Sequence, residues 1–148
     1  MIVEYTKGEY TLSTDPNKLD LDVIHGYLTR SYWSEGIPMD KVAKGIENAL
    51  CFGIYHKKEQ VGFARVITDH ARFAYLADVF VLEPHRGKGL SKWLMEKIME
   101  HPELQGLSRF MLGTKDAHGL YQKFGFSALK NPEIMMEKVD NNVYKKNS

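Results

Sequence analysis

The sequence predicts an α/β (α+β) fold in which a central mixed, mostly antiparallel sheet is flanked by helices. Two observations predict the sheet: three apolar runs between Leu50 and Leu82 follow one another through short polar turns, and a fourth, Arg109 to Gly113, returns only after a helix. Short connections pair strands antiparallel, whereas a helical crossover brings the chain back parallel. A third observation predicts the flanking layers, because apolar residues recur at helical spacing before and after these runs.

Taken in order, Val3 to Leu12 alternates loosely with Tyr and Thr and reads as a strand or hairpin around Gly8, followed by the turn Asp15-Pro16-Asn17. Leu21, Ile24, Tyr27, Leu28 and Tyr32 fall at helical spacing, and Met39 to Ala49 makes a second short helix with Val42, Ile46 and Ala49 inward. Leu50 to His56, Val61 to Thr68 and Phe73 to Leu82 form the meander, broken at Lys57-Lys58-Glu59 and Asp69-His70-Ala71-Arg72. Lys88 to Glu100 is a helix with the stripe Leu90, Trp93, Leu94 and Ile98, ended by His101-Pro102. Asp116 to Phe124 is a last short helix closed by Gly125, and Ile134 to Val139 reads as a final strand.

Residues 1-148 carry no internal repeat and no Pro/Gly/Ser linker, so a single domain is expected, its core fed by 43% hydrophobic residues. Lys plus Arg number 20 against 19 Asp plus Glu, which removes the global basic field that attracts nucleic acid or anionic lipid. No apolar run approaches a membrane span, and Glu4 stands where a secretory leader would be basic or apolar; a cytoplasmic protein is expected. Cys51 is the single cysteine and lies in the apolar run Ala49-Leu50-Cys51-Phe52, so it reads as a buried hydrophobe, not a nucleophile. No His, Cys, Asp or Glu cluster has metal spacing, and no metal is expected. The Lys145-Lys146 tail reads as a solvated terminus.

Chemistry concentrates after the third run. The strand ending at Leu82 passes through Glu83-Pro84-His85 into Arg86-Gly87-Lys88-Gly89-Leu90-Ser91 and then directly into a helix. Gly87 and Gly89 permit backbone angles closed to other residues, the helix start offers N–H groups without partners, and Arg86 and Lys88 add positive charge. This is a phosphate cradle. Spacing excludes a P-loop, since Lys88 is followed by Gly89 and Leu82 occupies the first Gly position; it also excludes a dinucleotide fingerprint, since Lys92 replaces the third Gly.

The turn resembles the central motif of the GNAT family of N-acetyltransferases, with Arg86, Gly89 and Ser91 in the places of Arg/Gln, Gly and Gly/Ala; Ser91 departs from the pattern. A second stretch, Ala117-His118-Gly119-Leu120-Tyr121-Gln122-Lys123-Phe124-Gly125-Phe126, is similar to the family's later segment, in which a Tyr precedes a basic residue and Gly-Phe. The resemblance is clear from about Phe52 to Phe126. It implies an acetyl-CoA-dependent transferase acting on a primary amine of a small molecule or protein, with Val79, Phe80 and Val81 beside the pantetheine arm. Arg86, Gly87, Lys88, Gly89, Leu90, Ser91, Tyr121 and Lys123 would complete the cofactor site.

Direct attack by an amine needs a protonated group for the leaving thiolate, and the resemblance implies Tyr121 as that acid; a phenol of pKa about 10 suits a thiolate of similar basicity. For the base, strand alternation places Leu76, Asp78 and Phe80 on one face and makes Asp78 the first candidate, with Asp116 and His118 as alternatives. Tyr32 and Trp33 form a candidate aromatic wall for the acceptor, with Asp69 beside it and Glu35 as an attractor of an amine. The alternatives in other classes are an acyl-CoA-binding or sensing domain without turnover and a protein-interaction domain with a vestigial site. A monomer or a homodimer fits the sequence equally.

Overall fold

The computed structural model describes residues 1–145; Lys146, in the tail read as a solvated terminus, lies outside them. The meander is the middle of a six-stranded sheet whose strands lie side by side in chain order: β1 (Glu4–Lys7), β2 (Tyr10–Ser13), β3 (Leu50–His56), β4 (Glu59–Thr68), β5 (Phe73–Val81) and β6 (Arg109–Leu112). Every neighbouring pair is antiparallel except β5 and β6, which the crossover makes parallel. The mixed, mostly antiparallel sheet expected from connection lengths is the observed one.

Among the described residues four α-helices accompany it: α1 (Leu21–Leu28), α2 (Met39–Glu47), α3 (Leu90–Glu100) and α4 (His118–Gln122). Asp20 starts α1 by accepting the N–H groups of Asp22 and Val23. The same helix ends before Tyr32, which the spacing had placed on it. Ser31 causes the early stop: its hydroxyl donates to Leu28 O at 2.7 Å and accepts Ser34 N–H, offering the backbone a local alternative to another helical turn. Likewise α3 starts at Leu90, not Lys88, because Gly87 and Gly89 sit at φ 78° and 75° in the left-handed region.

The final strand expected over Ile134 to Val139 does not form. Pro132–Ile134 makes a 3-10 turn instead, and Met135 is extended at φ −90°, ψ 138°, but the segment has no ladder partner among the described residues. Its apolar side chains stay exposed, Met136 at 96%.

Two cores sandwich the sheet. On one face Leu12, Phe52, Ile54, Val66 and Leu76 meet the α3 stripe Leu90, Trp93, Leu94, Met95 and Ile98. On the other, Ile24, Leu28 and Val42 of α1 and α2 cover Cys51, Phe63 and Phe80. Each such side chain taken fully out of water contributes about 1.5–3 kcal/mol, so both helical layers are anchored through the sheet. One break in the alternation positions the site. Pairing advances from Phe63↔Phe80 to Arg65↔Ala77, so β5 carries one extra residue, and Asp78 there has φ 56°. The bulge shifts the phase of the strand. Leu76 therefore faces the α3 core and Phe80 the α1/α2 core, which corrects the expectation that Leu76, Asp78 and Phe80 share a face.

Candidate active site

The bulge coincides with the place where β5 and β6 part. Their pairing ends at Leu76↔Leu112, and the backbone from Ala77 to Val81 has no β6 partner. Beyond that point a cleft of about 1380 Å3 opens, lined by Ala77, Asp78 and Val79 on one strand and by Gly113 to Ala117 after the other. An open strand edge in a cleft can pair with an extended amide-bearing chain as if with a further strand.

At the C-terminal end of β5 stands the glycine turn. Gly89 is the N-cap of α3 in the left-handed conformation and gives it no side-chain cap, so the first N–H groups of the helix are left to a ligand or to water. No heavy atom lies within 4 Å of a Cβ built on Gly87 or Gly89, so their absent side chains leave open space above the turn. Arg86 turns back into the protein: its Nε donates to Val81 O at 2.8 Å and its Nη2 to Tyr27 Oη at 3.0 Å. It braces the turn against the strand and α1. Lys88 is exposed beside it, Ser91 is half-buried on the first turn, and the buried Leu90 anchors the helix start in the α3 core.

Across the cleft, the loop after α1 supplies Tyr32 and Trp33, exposed at 64% and 40%. Their rings meet edge-on at 5.1 Å, and Lys115 Nζ stands 5.3 Å from the Tyr32 ring centre. Trp33 Nε1 donates to Asp78 Oδ1 at 3.0 Å, and Arg65 Nε donates to Asp78 Oδ2 at 2.8 Å. Tyr27 joins the two sides: it stacks on Phe80 at 4.1 Å and 10°, lies 6.2 Å from Trp33, and receives the Arg86 bond.

Tyr121, on α4, also lines the cleft. Its ring belongs to the α3 core and meets Phe126 edge-on at 6.2 Å, leaving the residue 8% exposed. Burial raises the hydroxyl's pKa, with Asp116 and Tyr32 adding to the rise, so it stays protonated over the whole neutral range. Cys51 is unsuited to chemistry, since burial pushes its thiol up to about 12.

An open strand edge, Arg86 at the head of the glycine turn and a protonated phenol thus line one cleft, while Gly87, Lys88, Gly89, Leu90 and Ser91 follow Arg86 in the chain without lining it. The profile of the Acetyltransferase (GNAT) family matches residues 21–126, which spans all of these elements from α1 to Phe126. This chain belongs to the GNAT family. A provisionally assigned acetyltransferase of Gibberella zeae is 34% identical over 142 residues, covering 80% of this chain and 79% of that one. A Xanthomonas campestris pv. campestris structure, provisionally assigned to GNAT acetyltransferases, is 48% identical with TM-score 0.89, covering 91% and 96%. A Clostridium acetobutylicum structure described with acetyl-CoA shares the fold at TM-score 0.63 and 12% identity, covering 94% and 96%.

Of the site residues expected from sequence, this GNAT chain brings Tyr32, Trp33, Asp78, Val79, Arg86 and Tyr121 to the one cleft, and Asp116 with them. Phe80 and Val81 are buried behind it. Asp69 does not line the cleft. It sits in the hairpin turn at the far end of β5, where its Oδ1 accepts the N–H groups of Ala71, Arg72 and Phe73, and those bonds hold its pKa at about 2. Lys123 is exposed at the end of α4 and, like Glu35 and His118, does not line the cleft. Sequence reasoning missed Arg65, Tyr27 and Lys115. Arg65 had a legible signal, a charge inside the apolar run Val61 to Ile67, whereas Tyr27 was hidden among the apolar positions of a helix.

Proposed function

We propose that this protein moves an acetyl group from acetyl-CoA to a primary amine by direct attack. The observation that carries the reading is the edge of β5 from Ala77 to Val81, which has no β6 partner, followed through a 3-10 turn and the glycine turn by the uncapped N-terminus of α3, with Tyr121 lining the same cleft. The residues present fit the donor. Left-handed Gly87 and Gly89 with the first N–H groups of α3 suit a pyrophosphate, Lys88 adds charge, and the β5 edge suits the amides of a pantetheine arm. The related fold from Clostridium acetobutylicum, described with acetyl-CoA, supports the same donor. A protein using it would work in the cytoplasm.

Bound acetyl-CoA supplies the activated thioester. The cleft orients the amine lone pair on the thioester carbon; as the C–N bond forms, the C–S bond breaks and Tyr121 Oη delivers its proton to the departing sulfur. The phenolate then recovers a proton from the attacking nitrogen through solvent. Asp116, which lines the same cleft and makes no salt bridge among the described residues, would take that proton from nitrogen and relay it through solvent to the phenolate, whereas both Asp78 oxygens already accept bonds. Trp33 and Tyr32 provide the acceptor wall. The engagement of Asp78 is also the observation that favours the second reading, an acyl-CoA-binding domain without turnover.

Titration calorimetry with acetyl-CoA and a thiol-release assay over a panel of primary amines separate the readings. Binding with release supports the enzyme, binding without release supports the sensor, and no binding sinks both.

A further inference from the structure

We propose that Asp78 and Arg65 are a positioning pair: their ion pair, seated in the β5 bulge, fixes the Trp33 indole as the wall of the acceptor pocket, and Asp78 is not the proton acceptor. The inference deepens the acetyltransferase reading and rests on it only for what the wall faces.

The geometry gives each atom of Asp78 a task. A φ of 56° is tolerated by Asp and Asn at modest cost, and here Asp78 lies in the bulge that gives β5 one residue more than β4, just past the point where pairing with β6 ends. Its carboxylate crosses to the α1/α2 face, where Oδ2 takes the Arg65 Nε–H and Oδ1 the Trp33 indole N–H. The pair is mostly withdrawn from water, at 22% and 11% side-chain exposure, so removing either partner strands the other. Behind it α2 closes over Arg65: a Cβ on Gly45 would stand 3.4 Å from Arg65 Nη1.

Trp33 depends on this arrangement. It belongs to no helix or strand; its indole N–H is bonded to Asp78, and its ring lies beside those of Tyr32 and Tyr27. A proton taken by Asp78 during turnover would loosen the bonds that hold Trp33 and Arg65, so acting as base would undo the wall with every cycle. A carboxylate that stays charged keeps it.

Nuclear magnetic resonance of 15N-labelled protein reads the indole N–H groups of Trp33 and Trp93 directly, and Trp33→Phe assigns them by loss of one signal. Asp78→Gly deletes the carboxylate while suiting the positive φ. The expected result is Trp33 indole exchange about ten-fold faster, with Trp93 unmoved. Asp78→Asn keeps an accepting oxygen and restores most of the protection. Acetyl-CoA affinity by calorimetry stays within about three-fold in both variants.

With an amine that the wild type acetylates, Asp78→Gly raises KM for the amine about ten-fold, while the pH profile of kcat/KM keeps its shape. Unchanged Trp33 exchange in Asp78→Gly overturns the proposal, as does loss of the acid-side limb of the profile in Asp78→Asn. If Asp78→Gly does not fold, Arg65→Lys, which keeps the charge and loses the planar fork, is read by the same Trp33 signal. A wild type that fails to bind acetyl-CoA sinks the acetyltransferase reading and leaves the Trp33 measurement to judge the clamp.

Discussion

The two walls of the cleft are built by different means. The donor wall is one continuous stretch, the end of β5, the glycine turn and the start of α3, whose features are backbone conformations and free amides set by Gly87 and Gly89. The acceptor wall is assembled from side chains far apart in the chain: Trp33 and Asp78 are 45 positions apart, and Arg65 is 13 from Asp78. A wall made of backbone is damaged by changes in φ and spared by most side-chain changes. A wall made of side chains behaves the other way round.

The largest effect expected tests the residue where the walls meet. Tyr121→Phe keeps the ring that packs on Phe126 and removes the proton donor, so kcat should fall about 100-fold while acetyl-CoA affinity by calorimetry changes less than about two-fold. An unchanged kcat would remove Tyr121 from the chemistry and leave it in the core. Next, Gly89→Val forces a β-branched residue into φ 75°, at a backbone cost of about 1–2 kcal/mol, which predicts a loss of acetyl-CoA affinity of about five- to thirty-fold. The Trp33 indole signal should not respond, and a change there would show that the walls are one unit.

The same contrast explains what could be read from sequence. The turn was legible because a contiguous pattern, Arg86 to Ser91, dictates its own local conformation. Strand order was legible too, because connection lengths decide pairing. The bulge was not: alternation alone puts Asp78 with Leu76, and only the register against Phe63 and Arg65 shows the slip that sends Phe80 to the other core. Asp69 reads from sequence both as a turn residue and as an acceptor candidate, because a turn carboxylate satisfied by three backbone amides has the same sequence appearance as a free one; the structure shows the turn. The expected strand from Ile134 to Val139 failed for a similar reason, since alternation specifies a strand only where a neighbour completes the ladder.

Tyr27 contacts Arg86 and Phe80 on the donor side and Trp33 on the acceptor side, and it gives a smaller effect. Tyr27→Phe keeps the stack on Phe80 and removes the oxygen that receives Arg86 Nη2. A single such bond contributes about 0.5–1.5 kcal/mol, so acetyl-CoA affinity should weaken about three-fold, with the Trp33 signal shifting slightly because its ring lies 6.2 Å from that of Tyr27. A shift in Trp33 without a change in affinity would assign Tyr27 wholly to the acceptor side.

The smallest effect concerns what anchors the donor wall at its far end. His101 is the C-cap residue of α3, fully buried against Phe52 at 5.6 Å, with Nδ1 accepting Glu103 N–H and Nε2 without a partner among the described residues. Burial lowers its pKa from the ordinary 6.5, outweighing the opposing pull of Glu103, with the chain's N-terminus and His70 lowering it further. A base with a depressed folded pKa is held neutral by folding. Its contribution is complete above pH 6.5 and is lost as pH falls through the folded value, because the unfolded chain takes up the proton first. Thermal melts should therefore show stability declining below pH 6.5, with a shallower decline in His101→Gln. Hydrogen exchange over the same range should loosen the C-terminal turn of α3 before α1 or α2. If α1 and α2 open first, the acid-sensitive element lies in the acceptor half, and the donor wall is the more rigid of the two at both of its ends.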